Sequence, residues 1–410
     1  MKTVVIIGGG ASGMMAALSA AEDPENRIIL LERQQRIGRK LLATGNGRCN
    51  LTNVGAAPEN YHGEQPDFAV PALESFPPEK VLEFFRRLGL LTVTEGLLMT
   101  EEYGGRVYPL SNSANSVVDI LRFALERDNI EVRTSCPARE LYRNGEGFNI
   151  RTDDGTISAD YLIVACGGAA GAKIGGVTDG YELLKMLGHK RTALRPSLVQ
   201  LVTDPTYPHS LKGVRAQAAL RLTSGSETLA ESRGELQFTE TGLSGPAAFD
   251  ISRAASFCGE GGVVHIDLLP DYGEDDIVRL LADKAAALPK LGAEELLTGV
   301  LHNRLGKMLM KFAQISPNRR LGELSETELR TVARACRNFE LKLYGVEGFD
   351  SAQVTAGGIK TTGVNPQTME SWFTPHLFIC GEVLDIDADC GGYNLQWAWA
   401  SGYTAGRLGK

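Results

Sequence analysis

Lys2-Thr-Val-Val-Ile-Ile7, Gly8-Gly-Gly10-Ala-Ser-Gly13 and Met14–Glu22 follow one another without interruption, and their reading decides the fold. The first is an apolar, β-branched run, the second a glycine turn, and the third carries helix formers, so the order reads strand, tight turn, helix. Gly8 permits the turn, Gly10 lets backbone approach a pyrophosphate, and Gly13 lets helix and strand pack closely, while the helix N-terminus offers unpaired N–H groups to an anion. A second apolar run, Arg27–Leu31, ends at Glu32, 24 residues after Gly8, where a ribose hydroxyl needs an acceptor. A lone G-x-G-x-x-G is weak evidence. Strand, glycines, helix, second strand and acid in this order predict a dinucleotide site in a Rossmann-type α/β domain.

The 410 residues exceed the usual limit of a single core, so two to three domains are expected, and 43% hydrophobic content is ample to fill them. The 47 glycines exceed the typical ~7% and cluster in loops where backbone has to approach a ligand. A formal charge of −8 argues against polyanion binding by the whole surface but leaves room for a local basic patch. Seven cysteines without a C-x-x-C pair read as reduced thiols, most of them small buried hydrophobes. The N-terminal apolar run is too short for a signal peptide and already serves as the first strand; no stretch approaches a membrane span. A cytoplasmic protein with no membrane partner is expected.

Lys40-Leu-Leu-Ala-Thr-Gly-Asn-Gly-Arg-Cys-Asn-Leu-Thr-Asn53 packs small, amide and cationic residues without helical or strand period. It reads as a hydrogen-bonding loop in which Gly45 and Gly47 expose backbone and Lys40 and Arg48 can meet phosphate or an electron-rich ring; the alternative is a surface loop of local Asx turns. Pro78–Leu90 and Ser116–Asp128 read as helices, Glu131–Thr134, Phe148–Thr152 and Ala159–Ala165 as strands, and Cys166-Gly-Gly168 is not a second nucleotide fingerprint. Beyond Arg195-Pro196 the segments Leu198–Val202, Ala218–Leu222, Glu235–Thr239 and Val263–Leu268 are β-like, and Asp275–Leu288, Glu294–Phe312 and Glu326–Cys336 are helical. Residues 300–345 carry nine Lys+Arg against four Asp+Glu, which is either a solvated helical bundle or a binding face. After a last strand at Leu377–Cys380 come Gly381-Glu382, the acids Asp385, Asp387 and Asp389, and a glycine-led helix from Gly391. The acids lack calcium-loop spacing and have no His nearby in the sequence, so no metal is expected.

With these residues assembled, the chain resembles the BaiN/YhiN-like family of FAD-dependent oxidoreductases. The resemblance rests on Gly8–Gly13, Gly38-Arg-Lys-Leu…Thr-Gly-Asn-Gly-Arg-Cys-Asn-Leu-Thr-Asn53, Phe238-Thr-Glu-Thr-Gly-Leu-Ser-Gly-Pro246, Thr355-Ala-Gly-Gly358, and Gly381-Glu-Val-Leu-Asp385 with Gly391-Gly-Tyr-Asn-Leu-Gln-Trp-Ala-Trp399. Glu240 departs from it, standing where the family pattern usually has His. The resemblance implies a glutathione-reductase-like FAD domain from residues 1–190 and 350–410, a β-barrel-like insert from 191–272 and 338–349, and a helical insert at 273–337. It also implies that Gly10, Ala11, Ser12 and Gly13 meet the pyrophosphate and Glu32, with Arg33 beside it, the adenosine. Lys40, Thr44, Gly45, Asn46, Arg48, Cys49, Asn50, Ala138, Cys166, Gly167 and Gly168 would flank the cofactor, and Gly381, Glu382 and Asp385 the ribityl chain. Gly391, Gly392, Tyr393, Asn394 and Leu395 would bring amides to the pyrophosphate and the flavin's pyrimidine edge.

The chemistry implied is reduction of a carbon–carbon double bond conjugated to a carbonyl. NAD(P)H would be a transient co-substrate, since no separate nicotinamide fold is visible, and Cys49, tuned by Arg48, is the candidate proton donor. The cationic 300–345 stretch favours a uracil of ribosomal RNA as substrate. The alternatives are a small enone such as a dehydro-bile acid, a flavin oxidase or dehydrogenase, and a non-catalytic flavoprotein binding module; no obligate protein partner is implied.

Overall fold

A strand with four consecutive apolar residues, Val4–Ile7, has no polar face and belongs inside a sheet covered on both sides. β1 (Lys2–Ile7) takes that place and leads through a glycine turn into α1 (Ala11–Ala20) and then β2 (Asn26–Leu31), its parallel neighbour. A short β3 (Tyr61–His62) precedes β4 (Ile130–Arg133), which joins the outer edge of β2, and β5 (Tyr161–Val164), which pairs with β1 from the other side. From the far end of the chain β6 (Leu377–Ile379) completes the sheet beside β5, β7 (Asp387–Ala388) pairs with β3, and α2 (Tyr393–Gly406) follows. The five parallel strands lie in the order β6-β5-β1-β2-β4. Ranked by position in the chain this is 3-2-1-4-5, the doubly wound arrangement whose crevice opens at the carboxyl end of the central strand.

The computed structural model describes residues 1–95 and 105–410. Residues Met1–Pro196 and Phe349–Lys410 form one compact unit and Ser197–Gly348 another. In the first, α2 lies against α1 closely enough that a Cβ on Gly402 would stand 2.4 Å from the Ser12 carbonyl and one on Gly406 2.5 Å from that of Ala16. Both helices advance four residues between these contacts, so they run parallel, and the start of α2 leads that of α1 by eight residues, roughly 12 Å at 1.5 Å per residue. Two helix N-termini thus face the same way at a stagger.

In the second unit six antiparallel strands close a barrel in the order Leu201–Thr203, Gly242–Ser244, Glu227–Phe238, Arg215–Ser224, Val263–Asp267, Phe339–Val346. Closure leaves no unpaired edge. Helices Glu274–Ala287, Asn303–Phe312 and Glu326–Arg337 lie between the last two strands in the chain and share one apolar core with the barrel. The helix expected over Glu294–Phe312 is broken: Gly299 takes φ +90°, and only Asn303–Phe312 is α-helical. Helix Pro246–Cys258, opened by Gly245 and Pro246, was hidden among residues that read as turn formers. Among the described residues no helix is long and apolar enough to cross a membrane.

Candidate cofactor site

The three glycines of the first turn divide by what surrounds them. Gly8 has φ +111°, and a Cβ there would stand 2.3 Å from the Ala165 carbonyl; one on Gly13 would stand 1.8 Å from the Gly8 carbonyl. These two are required by the protein's own packing. Gly10 has φ −82°, open to any residue, and a Cβ there would meet nothing within 4 Å. Its missing side chain is not needed by the fold, and it leaves a cradle at the start of α1, where no side chain caps the first-turn amides of Ala11, Ser12 and Gly13. Glu32, half-buried at the end of β2, accepts from Gly9 N at 2.8 Å and Gln34 N at 2.7 Å, which holds the carboxylate beside this turn with lone pairs to spare.

The Lys40–Asn53 segment winds through 3-10 turns over Leu41–Gly47. Thr44 is extended and Gly45, Asn46, Gly47 and Cys49 all have positive φ, from +56° to +82°. Left-handed Asn46 and Cys49 are strained for side-chain-bearing residues, and such strain concentrates at ligand clamps. Lys40 and Glu382, expected to touch the cofactor separately, pair at 2.8 Å, and Glu382 also accepts from Thr355 N at 2.9 Å. Arg48 does not tune Cys49: its guanidinium pairs with Glu95 at 3.0 Å and lies 4.1 Å from the centroid of the Tyr108 ring. The Cys49 thiol is fully buried and burial pushes it up to about 12, with only Thr44 acting in the other sense. Asn50 Oδ1 is buried without a hydrogen-bond partner, and it lies 2.8 Å from where a Gly392 Cβ would stand. An orphaned acceptor at the start of α2 calls for a donor from a ligand.

Gly391 and Gly392, with φ +148° and +103°, start α2, and Gly392 at the N-cap has no side chain to offer its first-turn amides. Asn394 spends its side chain on the backbone, accepting from Ala388 N and donating to the Ala388 carbonyl, so only its amide is left for a ligand. Asp385 is buried and accepts from Glu64 N. On the other flank a Cβ on Gly168 would meet Thr355 Oγ1 at 2.5 Å, Gly167 has φ +72°, and a Cβ on Gly381 would meet Ser12 Oγ at 2.3 Å. Cys166 is pushed up to about 12 by burial and, secondarily, by the Glu32 carboxylate. Arg33 reaches Asp179 at 3.8 Å, and Ala138 starts a separate antiparallel strand. A site with an anion cradle at α1, an acid beside it and an orphaned acceptor at the leading end of α2 fits an extended dinucleotide with pyrophosphate at one helix start and a ring system at the other.

His62 carries no mark of function in its own segment of sequence. Its Nε2 lies 2.6 Å from Asp389 Oδ1, 327 residues apart in the chain, because β3 pairs with β7. No local signal joins them. Among the described residues no cluster of three or more potential metal ligands exists.

The cationic stretch is largely spent internally. Lys307 pairs with Glu294 and Glu295, Arg319 with Glu328, Arg330 with Glu274 and Asp275, Arg334 with Glu274, and Arg337 with Asp267. Most of these acids lie just before residue 300, and over 267–345 the balance is twelve Lys+Arg to twelve Asp+Glu. The excess came from where the window began.

The family described as the HI0933-like protein Rossmann domain matches residues 2–408. The chain is 39% identical to the 3-dehydro-bile acid delta(4,6)-reductase of Clostridium scindens, over 99% of this chain and 98% of that protein. It is 30% identical to the ribosomal RNA dihydrouridine synthase of Escherichia coli, over 92% and 90% respectively. Among solved structures, the 3-ketosteroid delta1-dehydrogenase of Sterolibacterium denitrificans matches with a TM-score of 0.53 at 13% identity over 99% of each chain, a likeness of fold.

Proposed function

The chain belongs to the HI0933-like Rossmann family and is an FAD-dependent oxidoreductase, and from that premise we propose that it reduces a carbon–carbon double bond conjugated to a ketone in a small polycyclic molecule, with NAD(P)H as electron donor. The observation that carries the proposal is the 39% identity, end to end, with a reductase whose name specifies a 3-oxo substrate and ring double bonds. FAD, when bound, supplies hydride transfer.

The chain's own part is to hold and orient. Gly10 and the first-turn amides of α1 would take the pyrophosphate, Glu32 the adenosine ribose, and the amides of Tyr393–Leu395 with Asn50 Oδ1 the ring edge. The uncapped start of α2 would also offset negative charge developing on a carbonyl oxygen or on the ring. Cys49 enters this reading as proton donor only if the 41–49 turn opens, since its thiol is sealed.

A uracil in ribosomal RNA is the second reading, supported by the 30% relative, and its separate support is weakened because five of the nine cations in 300–345 are ion-paired within the chain. Anaerobic stopped-flow separates the two. NADPH should bleach the flavin, and 3-oxochola-4,6-dienoate should restore its colour by losing a ring double bond. Reoxidation by a uridine-bearing ribosomal RNA fragment, with the dienone inert, would transfer the assignment to RNA.

A further inference from the structure

The pair His62–Asp389 has the construction of a proton-delivering dyad and stands at the start of α2. Asp389 is held on every side. Its amide donates to the Asn60 carbonyl at 3.1 Å, Asn60 Nδ2 donates to its Oδ2 at 3.3 Å, and Asn394 Nδ2 donates to its carbonyl at 3.3 Å. Its Oδ1 faces His62 Nε2 at 2.6 Å. The ring is equally fixed, because β3 pairs with β7 in the register His62 with Asp387 and the adjoining Tyr61 hydroxyl donates to the Tyr393 carbonyl. Both side chains of the pair are one-third exposed. Among the described residues His62 Nδ1 has no partner, so one ring nitrogen is anchored to a carboxylate and the other is open. The other charges in this region are engaged: Glu64 pairs with Lys360 at 2.8 Å, and the Asp385 and Asp387 side chains are buried. Gly392 is the third residue after Asp389, a span of at most about 11 Å, so the dyad lies within reach of whatever occupies the start of α2.

We propose that His62 is the acid that protonates the substrate in the acceptor half-reaction, and that Asp389 positions its ring. The inference rests on the reading of the protein as a reductase of conjugated ketones. FAD, when bound and reduced, would supply the hydride that forms the new C–H bond at the β-carbon. The proton on His62 Nδ1 forms the second C–H bond at the α-carbon as the Nδ1–H bond breaks. The double bond is lost and the carbonyl regained, the bound cofactor would be left oxidised, and neutral His62 takes a proton from water. The two electrons come from NAD(P)H. Asp389 accepts from Nε2–H, which presents Nδ1 outward.

The test uses the full-length holoenzyme with 3-oxochola-4,6-dienoate, and each half-reaction is timed separately. His62→Ala and His62→Gln should slow flavin reoxidation by the dienone ~10²–10⁴-fold relative to flavin bleaching by NADPH. Added imidazole should restore part of the rate in His62→Ala. Asp389→Asn should lower the limiting rate at least ~10-fold and leave the half-saturating dienone concentration unchanged. A second readout needs no turnover: in apo-protein carrying 13C at histidine Cε1, the resonance that His62→Gln deletes should move when FAD is added. Reoxidation within a few-fold of wild type in both His62 variants, a loss shared equally by bleaching, or a His62 resonance indifferent to FAD overturns the proposal. If wild-type enzyme reduces no conjugated ketone, the reading of the reaction falls, and the FAD-dependent shift still decides whether His62 faces the flavin.

Discussion

Gly10→Ala separates what the first turn does for the fold from what it does for the cofactor. At φ −82° alanine is unstrained, and its methyl would meet no protein atom within 4 Å. Two small terms act on the apo-protein. Restricting the unfolded chain stabilises by about 0.4–1 kcal/mol, and replacing glycine by alanine at an N-cap costs a similar amount, so the melting temperature should stay nearly constant. If the proposed cradle holds the pyrophosphate, the methyl stands between it and the α1 amides. Loss of one charge-assisted hydrogen bond is worth about 1.5–3 kcal/mol, or roughly 10- to 150-fold in Kd. Gly13→Ala is the contrast, because its methyl would stand 1.8 Å from the Gly8 carbonyl, and overpacking of that kind costs about 1–3 kcal/mol before any cofactor is added. The assay is FAD titration of apo-protein by flavin fluorescence, with thermal unfolding of each apo-variant alongside. If Gly10→Ala binds FAD within twofold of wild type, or if its apo-form unfolds early, the cradle has been misread.

Glu32→Ala should weaken FAD binding by about 1–3 kcal/mol and lower apo stability as well, since Gly9 N and Gln34 N both lose their acceptor; coincident titration curves would make Glu32 a purely structural acid. Cys49→Ala should leave acceptor reduction per bound flavin within a few-fold of wild type because the thiol is sealed, and a ~10²–10⁴-fold loss confined to that step would instead make Cys49 the proton donor. His189 is buried neutral, with its pKa lowered by burial, and Ser371 Oγ accepts from two backbone amides and so gives its proton to His189 Nε2. Below about pH 6.5 the unfolded chain binds a proton there that the folded chain refuses, so stability falls as pH drops from 6.5, and denaturant titrations of His189→Asn should lose that part of the slope.

The sequence alone determined the β1–α1 unit, because its signals are local: a β-branched run, glycines at set spacing and an acid at the end of the next strand all act within 32 residues. It also read a change to a β-rich region near residue 191, since strand and helix periodicities are themselves local; the compact units divide at Pro196. It could not tell which glycines serve packing and which serve a ligand; Gly10 and Gly13 look alike until neighbours from β5 and the turn itself are in place. Nor could it see that Lys40 is matched by Glu382, or that the cations after residue 300 are matched by acids before it, because ion pairs form across space and a charge count stops where the window does. His62 and Asp389 are the sharpest case. Each is an unremarkable residue in its own segment, and only the pairing of β3 with β7, enforced by burial of their flanking apolar residues on a common core, makes them a dyad.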